Sequence, residues 1–159
     1  MKHLLLYFAV ALFSIFIGSQ ITEGVLLVPY WQSLSAANFY SYYNEFGPSI
    51  GQFYTILTII AAVIPICLSI YSKKINPKAF KFALGSSFFA VLFVASFYLY
   101  FKETNELFYQ AAFSEADLKS ELITWSYWHW GRISIEFISL LLLILSIIKI
   151  QNSNTPTNT

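Results

Sequence analysis

Trp125-Ser126-Tyr127-Trp128-His129-Trp130-Gly131-Arg132-Ile133-Ser134-Ile135-Glu136 carries the chain's only arginine, one of its two histidines and three of its four tryptophans. These residues lead into an apolar run, Ile133 to Ile150, of a composition that suits lipid. Arg132 and Glu136 therefore fall inside a membrane span, where a charged side chain costs about 2.5 to 3.5 kcal/mol on insertion scales. Helical spacing puts His129, Arg132 and Glu136 on one face, at i, i+3 and i+7. Ionisable residues held at that cost are a functional-site hypothesis by default.

Composition points the same way. Of 159 residues, 57% are hydrophobic and 11% charged, against about 25% charged in a soluble domain. That leaves too little polar surface to cover a water-soluble core, so the bilayer is the expected partner. A formal charge of +1 argues against nucleic acid, which would ask for a strongly basic surface. The single cysteine, Cys67, excludes a disulfide framework and dithiol redox chemistry, and reads as a small packing residue.

Four apolar runs follow in order, at about 4–30, 49–71, 82–101 and 126–150. They predict an all-α, integral membrane four-helix bundle, one domain over 1–150, with a disordered polar tail over 151–159. The first run begins with Lys2 and has small residues at Gly18 and Ser19, as a signal peptide would. No clear A-x-A cleavage site is present and the apolar pattern continues past any cut, so it is read as a retained span. Between the first two runs, Tyr30 to Pro48 is aromatic and lacks Lys and Arg, which predicts an interfacial segment broken at Gly47-Pro48. Pro65 inside the second run predicts a kink. A second short surface helix is expected within Asn105 to Leu122, where Ser114 and Asp117 resemble a loose capping box. Lys73, Lys74, Lys78 and Lys81 make a short basic loop, and Lys2 and Lys149 flank the ends. Under the positive-inside rule both termini are cytoplasmic, in a multi-pass protein of the cell membrane.

With that topology the first span runs outward and the fourth inward. Glu23 lies seven residues below Tyr30, roughly 10 Å at the helical rise, and Arg132 lies at the same depth on the fourth span. A mid-span arginine needs an acidic or carbonyl partner, and a carboxylate on another helix also joins the two helices. The expected contact is therefore Glu23 with Arg132, with Glu136 as second partner and Gln20 nearby. The polar residues gather in the outer half: Glu23, His129 and Arg132 as candidate catalytic groups, and Gln20, Gln52, Tyr54, Asn105, Trp125, Trp128 and Glu136 as candidate ligand contacts. His129 could serve as base and Arg132 could hold an oxyanion. The bland alternative is that these groups only lock four helices together and the tryptophans form an interfacial belt. No cofactor motif is present: the Glu-x-x-His repeat of di-iron bundles is missing, and His3 sits at the opposite end from His129, leaving no axial pair for haem.

Gly18 and Gly24 followed by Pro29, Asn105 after the third span, and Trp125-x3-His129-x2-Arg132 opening the fourth form a pattern over about 16–148. In it the chain resembles the anthrone oxygenase-like family of small four-span membrane proteins. A proline expected near the asparagine is absent; Lys102-Glu103-Thr104 stands there instead. Fungal members are linked to oxidation of anthrones to anthraquinones, and for this chain the resemblance implies at most an apolar, ring-shaped ligand. Two further readings stay open, a non-enzymatic binding or accessory protein and a small-solute or proton transporter. A homo-oligomer is also open.

Overall fold

The computed structural model describes residues 2–153, with side chains from residue 4 onward. Four helices, α1 (Leu4–Ser33), α2 (Ala36–Ser72), α3 (Pro77–Tyr109) and α4 (Glu115–Ser153), each have the length and apolar composition to cross a membrane. No strand occurs among the described residues. Large apolar side chains such as Leu99, Ile70 and Phe88 are exposed on the outside of the bundle. In a chain this apolar, that surface belongs against lipid.

The helices exceed the apolar runs because they continue through the segments between them. The interfacial helical segments expected around 30–48 and 105–122 are built as extensions of the long helices. The break expected at Gly47-Pro48 does not occur: both residues lie inside α2, as does Pro65. Pro48 follows a residue with no Cβ, which relieves the clash a proline makes with its predecessor. A side chain on Gly47 would also meet Tyr109, its Cβ coming within 2.8 Å of the hydroxyl. Gln151–Ser153 extend α4, so the expected tail is helical as far as it is described; residues 154–159, and the side chains of Lys2 and His3, lie outside the description.

Short links join the helices. Asn76 caps α3 through its side-chain oxygen, which accepts from Lys78 and Ala79. At the other end α3 closes in a Schellman pair, Ala112 N–H to Leu107 O and Ala111 N–H to Phe108 O, with Ala111 at φ 51° where glycine is usual. Ser114 and Asp117 are hydrogen-bonded to one another at the start of α4.

Two cores result. Toward the termini, Phe13, Phe16, Ala79, Ala83, Leu143 and Ile147 pack together. There α3 and α4 approach closely over small residues: Ser86 and Ser139 exchange hydroxyl-to-carbonyl hydrogen bonds, both 2.8 Å, and Ser146 donates to Ala79 O at 2.9 Å. Toward the α1–α2 and α3–α4 links, an aromatic core of Trp31, Phe39, Tyr43, Phe101, Phe108 and Trp125 forms a cap. The links are tied by Ala36 N–H to Glu115 at 2.6 Å and Tyr40 to Phe113 O at 2.9 Å. Cys67, expected in the packing, is exposed on the outer face of α2.

Candidate functional site

Between the two cores, two helices each make one wide turn: Glu23–Leu27 in α1 and Phe97–Phe101 in α3 are π-helical. In the first, Val28 N–H bonds Glu23 O, five residues back. Residues eight apart lie about 80° apart around a regular helix; one extra residue in the turn removes about 100° and leaves them within about 20°. The first turn thus aligns Glu23 with Trp31, and both face one cavity. The second aligns Phe93 with Phe101, and both rings lie under the Arg132 guanidinium, with Cζ 5.6 and 4.1 Å from their centroids.

Arg132 is the centre of this arrangement. Its Nη2 lies 3.5 Å from Glu23 Oε2 and 3.0 Å from His129 Nδ1, so the cross-helix pair expected from depth is present. His129 is fully buried, stacked on Trp125 at 5.0 Å, and its Nε2 is 2.9 Å from the carbonyl of Gln20. A carbonyl can only accept, so Nε2 carries the proton and Nδ1 is the acceptor for Arg132. Gly24 makes room for this: a Cβ there would come within 3.0 Å of Trp130 and 3.1 Å of His129. Tyr54 donates to Ser19 O at 3.0 Å and faces Glu23. Trp125 donates to Asn105 at 3.1 Å and crosses Trp31 edge to face.

The cavity holds about 730 Å³, within the range of small-molecule sites. Its inner wall is Gln20, Glu23, Trp31, Tyr43, Trp125 and Arg132, with Tyr54, Asn105 and Tyr109 at the sides. Five of these, Gln20, Glu23, Tyr54, Asn105 and Trp125, join Arg132 from the sequence-predicted set. His129 stands behind the wall with both ring nitrogens engaged. Three candidates fall elsewhere. Gln52 is exposed on α2, because two residues along a helix from Tyr54 is about 200° around it. Trp128 stacks on Tyr100 at 4.9 Å, outside the cavity. Glu136 is buried one turn below Arg132 but not within ion-pair distance of it; its Oε2 has no hydrogen-bond partner. Sequence reasoning missed Trp31, Tyr43, Phe93 and Phe101, which sit in aromatic stretches that look like ordinary lining.

Besides Ser69 Oγ in the terminal half, the further buried polar atoms without a partner among the described residues are Gln20 Oε1, Trp31 Nε1 and Arg132 Nε. All three belong to residues of the cavity wall. Among the described residues no cluster of His, Cys, Asp and Glu has metal-binding geometry. Comparison with protein-family models, with curated proteins and with solved structures finds no match.

Proposed function

We propose that this membrane protein binds a flat, lipophilic aromatic compound carrying a weakly acidic C–H or phenolic O–H, and acts on it as an anthrone oxygenase-like oxidoreductase. The observation that carries the reading is a carboxylate and a guanidinium set side by side on the wall of an aromatic cavity. Glu23 takes the acidic proton, in place of His129, whose nitrogens are committed to Gln20 and Arg132. Arg132 holds the oxygen on which negative charge develops, and Trp31 and Trp125 stack or edge the ring. His129 is a positioning residue that fixes the guanidinium. Dioxygen is the oxidant: a ring methylene and O₂ give a ring carbonyl and one water, the first hydrogen leaving as a proton to Glu23, which then gives it back so that both methylene hydrogens end in the water.

A filled interface with every polar atom paired would favour a helix-locking role; the cavity and its unpartnered wall atoms support a ligand instead. Transport is disfavoured because Phe13, Phe16 and Leu143 close the bundle on the terminal side. In the cell membrane, with both termini cytoplasmic, the cavity lies in the outer half. In a Cys67→Ser background, an impermeant thiol reagent added outside should label Ser120→Cys and spare Lys74→Cys; the reverse pattern would invert the orientation.

Turnover tests the chemistry. Reconstituted protein given anthrone should form anthraquinone with equimolar oxygen uptake, and Glu23→Gln should lose about 10²-fold or more of the rate. Wild-type protein that leaves anthrone and other ring phenols unchanged would leave a binding protein without catalysis.

A further inference from the structure

The cavity is open along one side of the bundle, and the side is defined by two straight rows of residues. On α2, Gly47, Gly51, Thr55, Ile59 and Val63 recur every fourth position along the cavity edge; on α3 the facing edge is Tyr98, Lys102 and Glu106, with Phe97 beside them. From Gly51 and Tyr98 onward both rows are exposed. Polarity is graded along the slot. Lys102 and Glu106 stand at the link end, whereas Ile59, Val63 and Phe97 border the stretch deeper in the bundle, each 38% exposed or more. Gly51 contributes to the opening: a Cβ there would meet nothing within 4 Å, so packing does not demand glycine, although glycine costs a helix about 1 kcal/mol against alanine.

Resting on the reading of the site as a pocket for an aromatic acid, we infer that the slot between α2 and α3 is a lateral portal. Its ligand is an alkyl- or isoprenoid-tailed phenol or quinol that enters from the bilayer and keeps its tail between Val63 and Phe97. The geometry gives each part of such a molecule its place. The ring reaches the Glu23–Arg132 pair on the inner wall, and the apolar lower border lets a chain leave into lipid without crossing a polar rim. Along the bundle axis the link end is closed by the aromatic cap of Trp31, Phe39 and Phe108.

The test uses 2-decyl-4-nitrophenol and its 2-methyl analogue, whose absorption quenches tryptophan emission. Protein in lipid nanodiscs carries Trp128→Phe and Trp130→Phe, so that Trp31 and Trp125, both on the cavity wall, are the emitters. After correction for partition into lipid, Val63→Phe should weaken the decyl probe at least about tenfold more than the methyl probe, the size of a steric clash in a packed site. Ile59→Phe should repeat the result should Val63→Phe fold poorly. Equal effects on the two probes in both variants would overturn the portal while leaving the cavity reading intact, provided Arg132→Gln weakens both probes. Failure of either probe to quench the wild-type tryptophans would overturn the cavity reading and the portal together.

Discussion

The two halves of the bundle solve the same problem in opposite ways. Toward the termini, α3 and α4 meet over Ala79, Ala83, Ser86, Ser139 and Ser146, and the three hydroxyls bond backbone carbonyls across the interface. Toward the links the helices widen by two π turns, ring side chains replace small ones, and a cavity opens. Buried polar atoms without partners follow the same division: those of Gln20, Trp31 and Arg132 belong to the cavity wall, Glu136 lies one turn below, and only Ser69 is in the terminal half. The terminal half is therefore packed and paired throughout much of its length, and the link half gives up packing and pairing around a cavity that carries a charged pair on its wall.

The largest expected effect strikes that difference directly. Arg132→Met leaves Glu23, 3% exposed, without its counter-charge, and should destabilise the protein by about 3–5 kcal/mol. The double variant Glu23→Gln/Arg132→Met should recover a large part of the loss in a denaturation titration. Equal or additive losses would mean that the pair is not coupled. Next in size is Gly24→Ala, whose Cβ would press on Trp130 and His129 at 3.0 and 3.1 Å; about 1–3 kcal/mol is expected. Gly18→Ala, one and a half turns earlier with nothing within 4 Å, should be neutral or stabilising, about 1 kcal/mol in favour of alanine. Thermal unfolding in a single detergent compares the two.

Smaller effects sharpen the contrast. Ala111 holds the left-handed position that closes α3 at φ 51°, so Ala111→Gly should stabilise by about 1 kcal/mol. In the terminal half, Ser86→Ala removes one hydroxyl of a reciprocal pair and should cost about 0.6 kcal/mol, the usual size of a hydrogen bond between membrane helices. It should not alter ligand binding, since Ser86 does not line the cavity. A change in affinity for the nitrophenol probes would show that the halves are not separate.

Much of this was readable from residues, for identifiable reasons. The four helices follow from apolar runs that only lipid suits, and the Glu23–Arg132 contact follows from counting depth on two antiparallel spans. The π turns do not announce themselves, because one extra residue leaves composition unchanged while rotating everything beyond it. That rotation is what brings Trp31 and the Phe93–Phe101 pair to the site. Spacing placed His129 on the face of Arg132, but which ring nitrogens are already bonded depends on Gln20 O, a backbone atom of another helix. Gly47-Pro48 reads as a stop signal in isolation; against Tyr109 it is a close helix crossing.

The central claim is that a bound aromatic acid gives its proton to Glu23 and rests as an anion on Arg132. It is tested most directly by a lipophilic 4-nitrophenol, bound at a pH below its own pKa, with absorbance and proton release recorded together. Wild-type protein should show the phenolate band and release no proton, Glu23→Gln should show the band and release one proton per ligand, and Arg132→Gln should show only the neutral phenol. A neutral band in the wild-type protein, or a full proton released by it, would contradict the account.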